Sequence, residues 1–118
     1  TPAPPVDCQW PDDTLQNGPD AVSVHQAALT AFPNLTPVTS SWIIDAVIYE
    51  TADAADDGLL NALIGVVGTE GRVQVDEAAG SGSPSQSIQR CGDGRRRGDK
   101  FAVGVPTPGA ANGVTACP

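Results

Sequence analysis

The chain has 118 residues, 40% of them hydrophobic but only 4% aromatic, with 13 Gly, 11 Pro and no Met. That length fits one domain with a modest core built from Val, Ile, Leu and Ala, and the turn-rich profile is typical of all-β folds. A net charge of −8 argues against non-specific binding of nucleic acid or anionic membranes by the body of the protein, and no apolar run reaches the roughly twenty residues of a membrane helix.

"TPAPPVDC" has neither the basic start nor the apolar run of a signal peptide, so in a secreted protein this sequence would be a mature or processed chain. Its prolines predict an extended arm over residues 1–11, ahead of one domain over residues 12–118. Asn17-Gly18-Pro19-Asp20 is a turn signal, and the following Ala21-Val22-Ser23-Val24-His25 alternates as a half-buried strand with Val22 and Val24 on one face. "FPNLTPVT" reads as loop and contains Asn34-Leu35-Thr36, an N-glycosylation acceptor whose efficiency the following Pro37 lowers.

"SSWIIDAVIYET" is the most apolar stretch. Trp42, Ile44, Ala46 and Ile48 alternate against Ile43, Asp45, Val47 and Tyr49, which predicts a central strand covered on both faces. "DAADDGLLNALIGVV" predicts an Asp-capped helical turn kept short by Gly58 and Gly65. "GRVQVDE" alternates again, "GSGSPSQ" is a flexible loop, and "SIQRC" and "KFAVGV" are short strands before the closing turns of "PTPGAANGVTACP".

The ordered set "LQNGPDAVSVHQ", "WIIDAVIYETADAADDGLL", "VQVDE", "SIQRCGDG" and "FAVGVPTPGAAN" resembles the lamin-tail domain in its secreted, non-nuclear form, over roughly residues 12–113. The resemblance implies an immunoglobulin-like β-sandwich. It also implies a non-catalytic interaction or accessory module, which in secreted proteins accompanies nuclease or phosphoesterase domains. The chain lacks the family's opening "V-E-x-Y-N" and "D-L-S-G-W" type segments, so the expected sandwich lacks its first strands. Either another chain supplies them or the fold is trimmed, because an unpaired edge and bare apolar surface are poorly tolerated in water.

The chain's residues give little support to catalysis, and no enzyme is expected. His25 is the only His and lies in a predicted strand, with no G-x-S-x-G turn to present a nucleophile. In "DAADDG", Asp53, Asp56 and Asp57 are candidate oxygen ligands for calcium, although their spacing departs from an EF-hand loop and capping explains them as well. No other cofactor is expected.

Cys8, Cys91 and Cys117 show no C-x-x-C spacing, which disfavours structural zinc and favours disulfides. Cys91 and Cys117 flank the last strand and the closing turn and are the expected pair. Cys8, left over near the place where the missing strands would join, is then a candidate for an intermolecular bond.

Charge is also uneven along the chain: residues 1–80 carry twelve Asp/Glu against Arg72 alone, whereas "RCGDGRRRGDKF" holds five of the six basic residues. Arg95, Arg96, Arg97, Gly98, Asp99 and Lys100 form the expected contact loop, for assembly with an acidic surface rather than for catalysis. Arg97-Gly98-Asp99 is the tripeptide that integrins bind, and a sulfated glycan is a further candidate ligand. The arginines have no interleaved aromatics, which disfavours nucleic acid. Together these readings predict a non-catalytic secreted structural or interaction module that joins a partner chain or another copy through open strand edges, Cys8 and the basic loop. Alternatives are a processed accessory domain of an extracellular nuclease or phosphoesterase, and an adhesion ligand.

Overall fold

The computed structural model describes residues 11, 14–15, 18–79 and 85–118. The arm at residues 1–10, with Cys8, lies outside them, as do Asn17 of the first turn and residues 80–84 of the Gly/Ser loop. Strand β1, Asp20–His25, pairs antiparallel with β2, Ile43–Glu50, and β2 pairs parallel with the two-residue β3, Val75–Asp76. A second sheet consists of β4, Ser87–Arg90, antiparallel to β5, Phe101–Gly104. With a seven-residue helix, α1, Asp57–Leu63, the described residues form a small all-β fold of two sheets.

Alternation along β2 decides what it covers. Ala46 and Ile48 are 3% and 0% exposed and pack with Leu60, Leu63 and Ile64, whose i, i+3, i+4 spacing lays one stripe of α1 and its C-terminus on that face. Full burial of side chains such as Ile48 and Leu60 contributes about 2 kcal/mol each. On the opposite face, Val22 of β1 stands beside Val47, and Val24 beside Asp45. Those residues, with Arg90 and Phe101 of the second sheet, line an open depression of about 110 Å³. The central strand thus has the helix on one side and the β4–β5 pair on the other.

Three local expectations change. Trp42 is not part of β2: it sits just before the strand at φ 55° and is 64% exposed. It belongs to the turn that lets its carbonyl accept from the amide of Gln26 (2.9 Å). The alternation over 71–77 yields only Val75–Asp76 as strand, because Gly71 turns at φ 73° and Arg72 reaches back to the helix. Gly58 lies inside α1 rather than stopping it. The helix ends where Gly65, at φ 154°, returns its amide to the carbonyl of Leu60 (2.9 Å).

The C-terminal tail is anchored to β4 rather than loose. Buried Gln89 donates from Nε2 to the carbonyl of Val105 (2.6 Å), and its Oε1 accepts from the amide of Gly113 (2.8 Å). A disulfide joins Cys91 to Cys117, with the Cα atoms 5.2 Å apart. Closing a loop of 26 residues contributes roughly 3 kcal/mol on the chain-entropy model.

Candidate functional site

The basic segment is folded onto its own domain. Arg90 lies over the ring of Phe101, 4.4 Å from the centroid, and its guanidinium pairs with the carboxylate of Asp45 on β2. The same carboxylate accepts the backbone amide of Arg96 at 2.7 Å, so Asp45 ties the first sheet both to β4 and to the loop after it. Arg96 itself, at φ 54°, donates from Nε to the carbonyl of Leu63 (2.6 Å) and from a terminal nitrogen to that of Ile64 (3.0 Å). Carbonyls at a helix end lack helical partners and carry partial negative charge, which a guanidinium satisfies in both respects.

Arg97 and Asp99 are bound to each other. Nε and a terminal nitrogen of Arg97 meet the two oxygens of Asp99 at 3.0 and 2.6 Å, and Arg97 also pairs with Glu70 at 2.6 Å. The Arg97 guanidinium holds the Asp99 carboxyl below the usual carboxylate range, and the Arg97 pKa rises reciprocally. Gly98 is buried between them, its amide donating to the carbonyl of Gly71 (2.9 Å). Lys100 stands 3.7 Å from Asp99. Of the three consecutive arginines only Arg95 is exposed.

The acidic candidates are not brought together around a shared centre. Asp56 is the N-cap of α1 and accepts from the amide of Leu59 (2.9 Å), Asp57 pairs with Arg72 at 2.7 Å, and exposed Asp53 donates its amide to Glu50. Among the described residues, no group of three or more His, Cys, Asp or Glu side chains could hold a metal ion. Asn34 sits on an exposed turn with Leu35 at φ 70°, and the Thr36 hydroxyl donates to the carbonyl of Pro33 (2.6 Å).

A different constellation emerges on the helix-facing side of β1. Residues two apart in a strand share a face, so Ser23 and His25 stand side by side. The register with β2 shifts between Val24 and His25, where Ile44 is the extra residue on β2, while β1 itself runs on unbroken from Ser23 to His25. The His25 Nδ1 is 2.9 Å from the carbonyl oxygen of Ser41, and Nε2 is 2.9 Å from Ser23 Oγ. A carbonyl can only accept, so Nδ1 carries the proton. In the neutral ring Nε2 is then bare and accepts from the Ser23 hydroxyl.

The ring of Phe32 packs against the imidazole at 4.7 Å and 55°, and Trp42 meets Phe32 at 6.3 Å. Ser23, His25 and Phe32 line a cavity of about 370 Å³ whose apolar wall includes Pro37, Val38, Leu59 and Leu63. The expectation for His25, a surface strand residue, overlooked this because Ser41 is sixteen residues away. The only local signal is the Ser-x-His spacing within a period-2 strand.

In comparisons with protein-family models, with curated proteins and with solved structures, nothing matches this chain.

Proposed function

We propose that this chain is a secreted interaction module with an immunoglobulin-like, lamin-tail-type β-sandwich, which associates with a second chain, most simply another copy, through its open strand edges. The observation that carries this reading is the position of β1. Its six residues, Asp20–His25, are hydrogen-bonded to β2 on one side and, among the described residues, form the edge of their sheet on the other. Among the described residues, four of the five strands are edges in this sense, and a long edge invites addition of another strand. Val24, 54% exposed on β1, adds apolar surface to that edge.

A disulfide pinning the tail suits an oxidising compartment. Of the expected contact surfaces, the engagement of Arg96, Arg97 and Asp99 with their own domain favours the strand edges over the basic loop, in which Arg95 is the exposed arginine. Cys8 and the Asp53/Asp56/Asp57 group enter this reading differently. Cys8 is a candidate for a covalent link between chains, and calcium plays no part in it.

The test is native mass by light scattering over a range of concentrations, with and without reductant, together with hydrogen exchange of the β1 amides. A multiple of the chain mass with slowed exchange in β1 is the expected result. A fall in mass on reduction places Cys8 in the link. A monomer throughout, with unchanged β1 exchange, overturns self-association through this edge.

A further inference from the structure

Ser23, His25 and the Ser41 carbonyl stand in the order of nucleophile, base and orienting group. We propose that Ser23 is a reactive serine, activated by His25, that accepts the acyl group of small carboxylic esters. This goes beyond the association reading and does not depend on it.

Three requirements of an activated hydroxyl meet here. The base must lie within hydrogen-bond reach of the hydroxyl, and Nε2 is 2.9 Å from Oγ. The base must be unprotonated on that side, and the Ser41 carbonyl fixes this tautomer by accepting a hydrogen bond from Nδ1–H at 2.9 Å, the orienting role that a carboxylate fills in the usual triad. The ring must also be held in place. Phe32 packs against it, and hydrogen bonds at both ring nitrogens fix its plane.

The chemistry then requires room for a substrate. The cavity of about 370 Å³ falls at the small end of ligand sites; Phe32, Pro37, Val38, Leu59 and Leu63 offer a short acyl chain an apolar wall, and Asp20, Thr36 and Thr39 add polar positions that disfavour an anionic substrate. Ser23 Oγ attacks the ester carbonyl carbon while Nε2 takes the hydroxyl proton. The carbon–oxygen bond to the alcohol breaks, and Nε2 returns the proton to the departing oxygen. The acyl group remains on Oγ until water, deprotonated by Nε2, repeats the sequence and releases the acid. The net reaction is ester plus water to acid plus alcohol.

The experiment uses the full chain with 4-nitrophenyl butyrate and, separately, with a fluorophosphonate, which phosphonylates an activated serine with loss of fluoride. Mass spectrometry of the intact protein and of its peptides locates the adduct. The expected result is one adduct per chain on Ser23, lost in Ser23→Ala, with nitrophenolate released in a matching burst. His25→Gln should slow labelling at least 100-fold, the lower range of what general base catalysis supplies. Adducts spread over exposed serines and lysines, or none on Ser23 of the wild-type chain, would overturn the assignment. So would Ser23 labelling that His25→Gln leaves unchanged. The wild-type result decides the matter even if a variant fails to fold.

Discussion

Arg96 Nε lies 2.6 Å from the carbonyl oxygen of Leu63, the last residue of α1, although 32 residues of chain separate them. A loop that is the most basic stretch of the sequence therefore closes the C-terminal end of the only α-helix among the described residues. Hydrogen bonds to a charged donor contribute about 1.5–3 kcal/mol. Arg96→Met should lower stability to urea by roughly 2 kcal/mol. Arg96→Lys should recover less than half of that, because an ammonium cannot span two carbonyls as a planar guanidinium does. Equal stability of the three proteins would show that the contact contributes nothing.

Asp45 is the matching link from the first sheet. Asp45→Asn keeps an acceptor for the Arg96 amide but removes the charge facing Arg90, whereas Asp45→Ala removes both. Unfolding midpoints should fall in the order wild type, Asn, Ala, with the alanine variant about 3 kcal/mol less stable, since Arg90 would keep a half-buried charge without this partner. An alanine variant as stable as the asparagine one would mean that the amide contact carries no energy.

At Gly98 a single methyl group should be enough to disturb the loop. A Cβ there would fall on the carbonyl oxygen of Val73, which is backbone and cannot swing aside. Gly98→Ala is expected to cost about 3 kcal/mol, the upper end for overpacking, and to shift the amide resonances of residues 71–73 and 97–99. Wild-type stability in that variant would refute the close approach.

The alkaline limit of stability should carry the signature of Tyr49. Burial, followed by the charges of Asp20 and Glu77, pushes its phenol from 10.0 up to about 12. Between these values the unfolded chain has released the proton and the folded one has not, so stability falls as pH rises from about 10 to 12. The loss from this group should reach about 1–2 kcal/mol. Tyr49→Phe should flatten that part of the pH profile, and an unchanged slope would remove Tyr49 as the cause.

The sequence by itself determined where β1, β2, β4 and β5 and the Asp56-capped helix lie, because alternation, capping chemistry and turn residues are properties of neighbours in the chain. It marked Cys91 and Cys117 as one pair, from their positions around the last strand. It did not place Trp42 outside β2, since a turn at positive φ leaves the hydrophobic pattern unbroken, and it overextended β3, whose pairing depends on β2 rather than on its own alternation.

The tertiary structure alone decided what the charged and polar residues do. Arg96 and Arg97 read as outward charge until the chain brings Leu63, Ile64 and Glu70 within hydrogen-bond distance. His25 read as a strand residue until Ser41 supplied the carbonyl that fixes its tautomer. Apolar periodicity is read within a few residues, whereas an ion pair or a hydrogen bond is chosen by distance in space. Here those partners lie sixteen to thirty-three positions away in sequence, and only the folded chain brings them together.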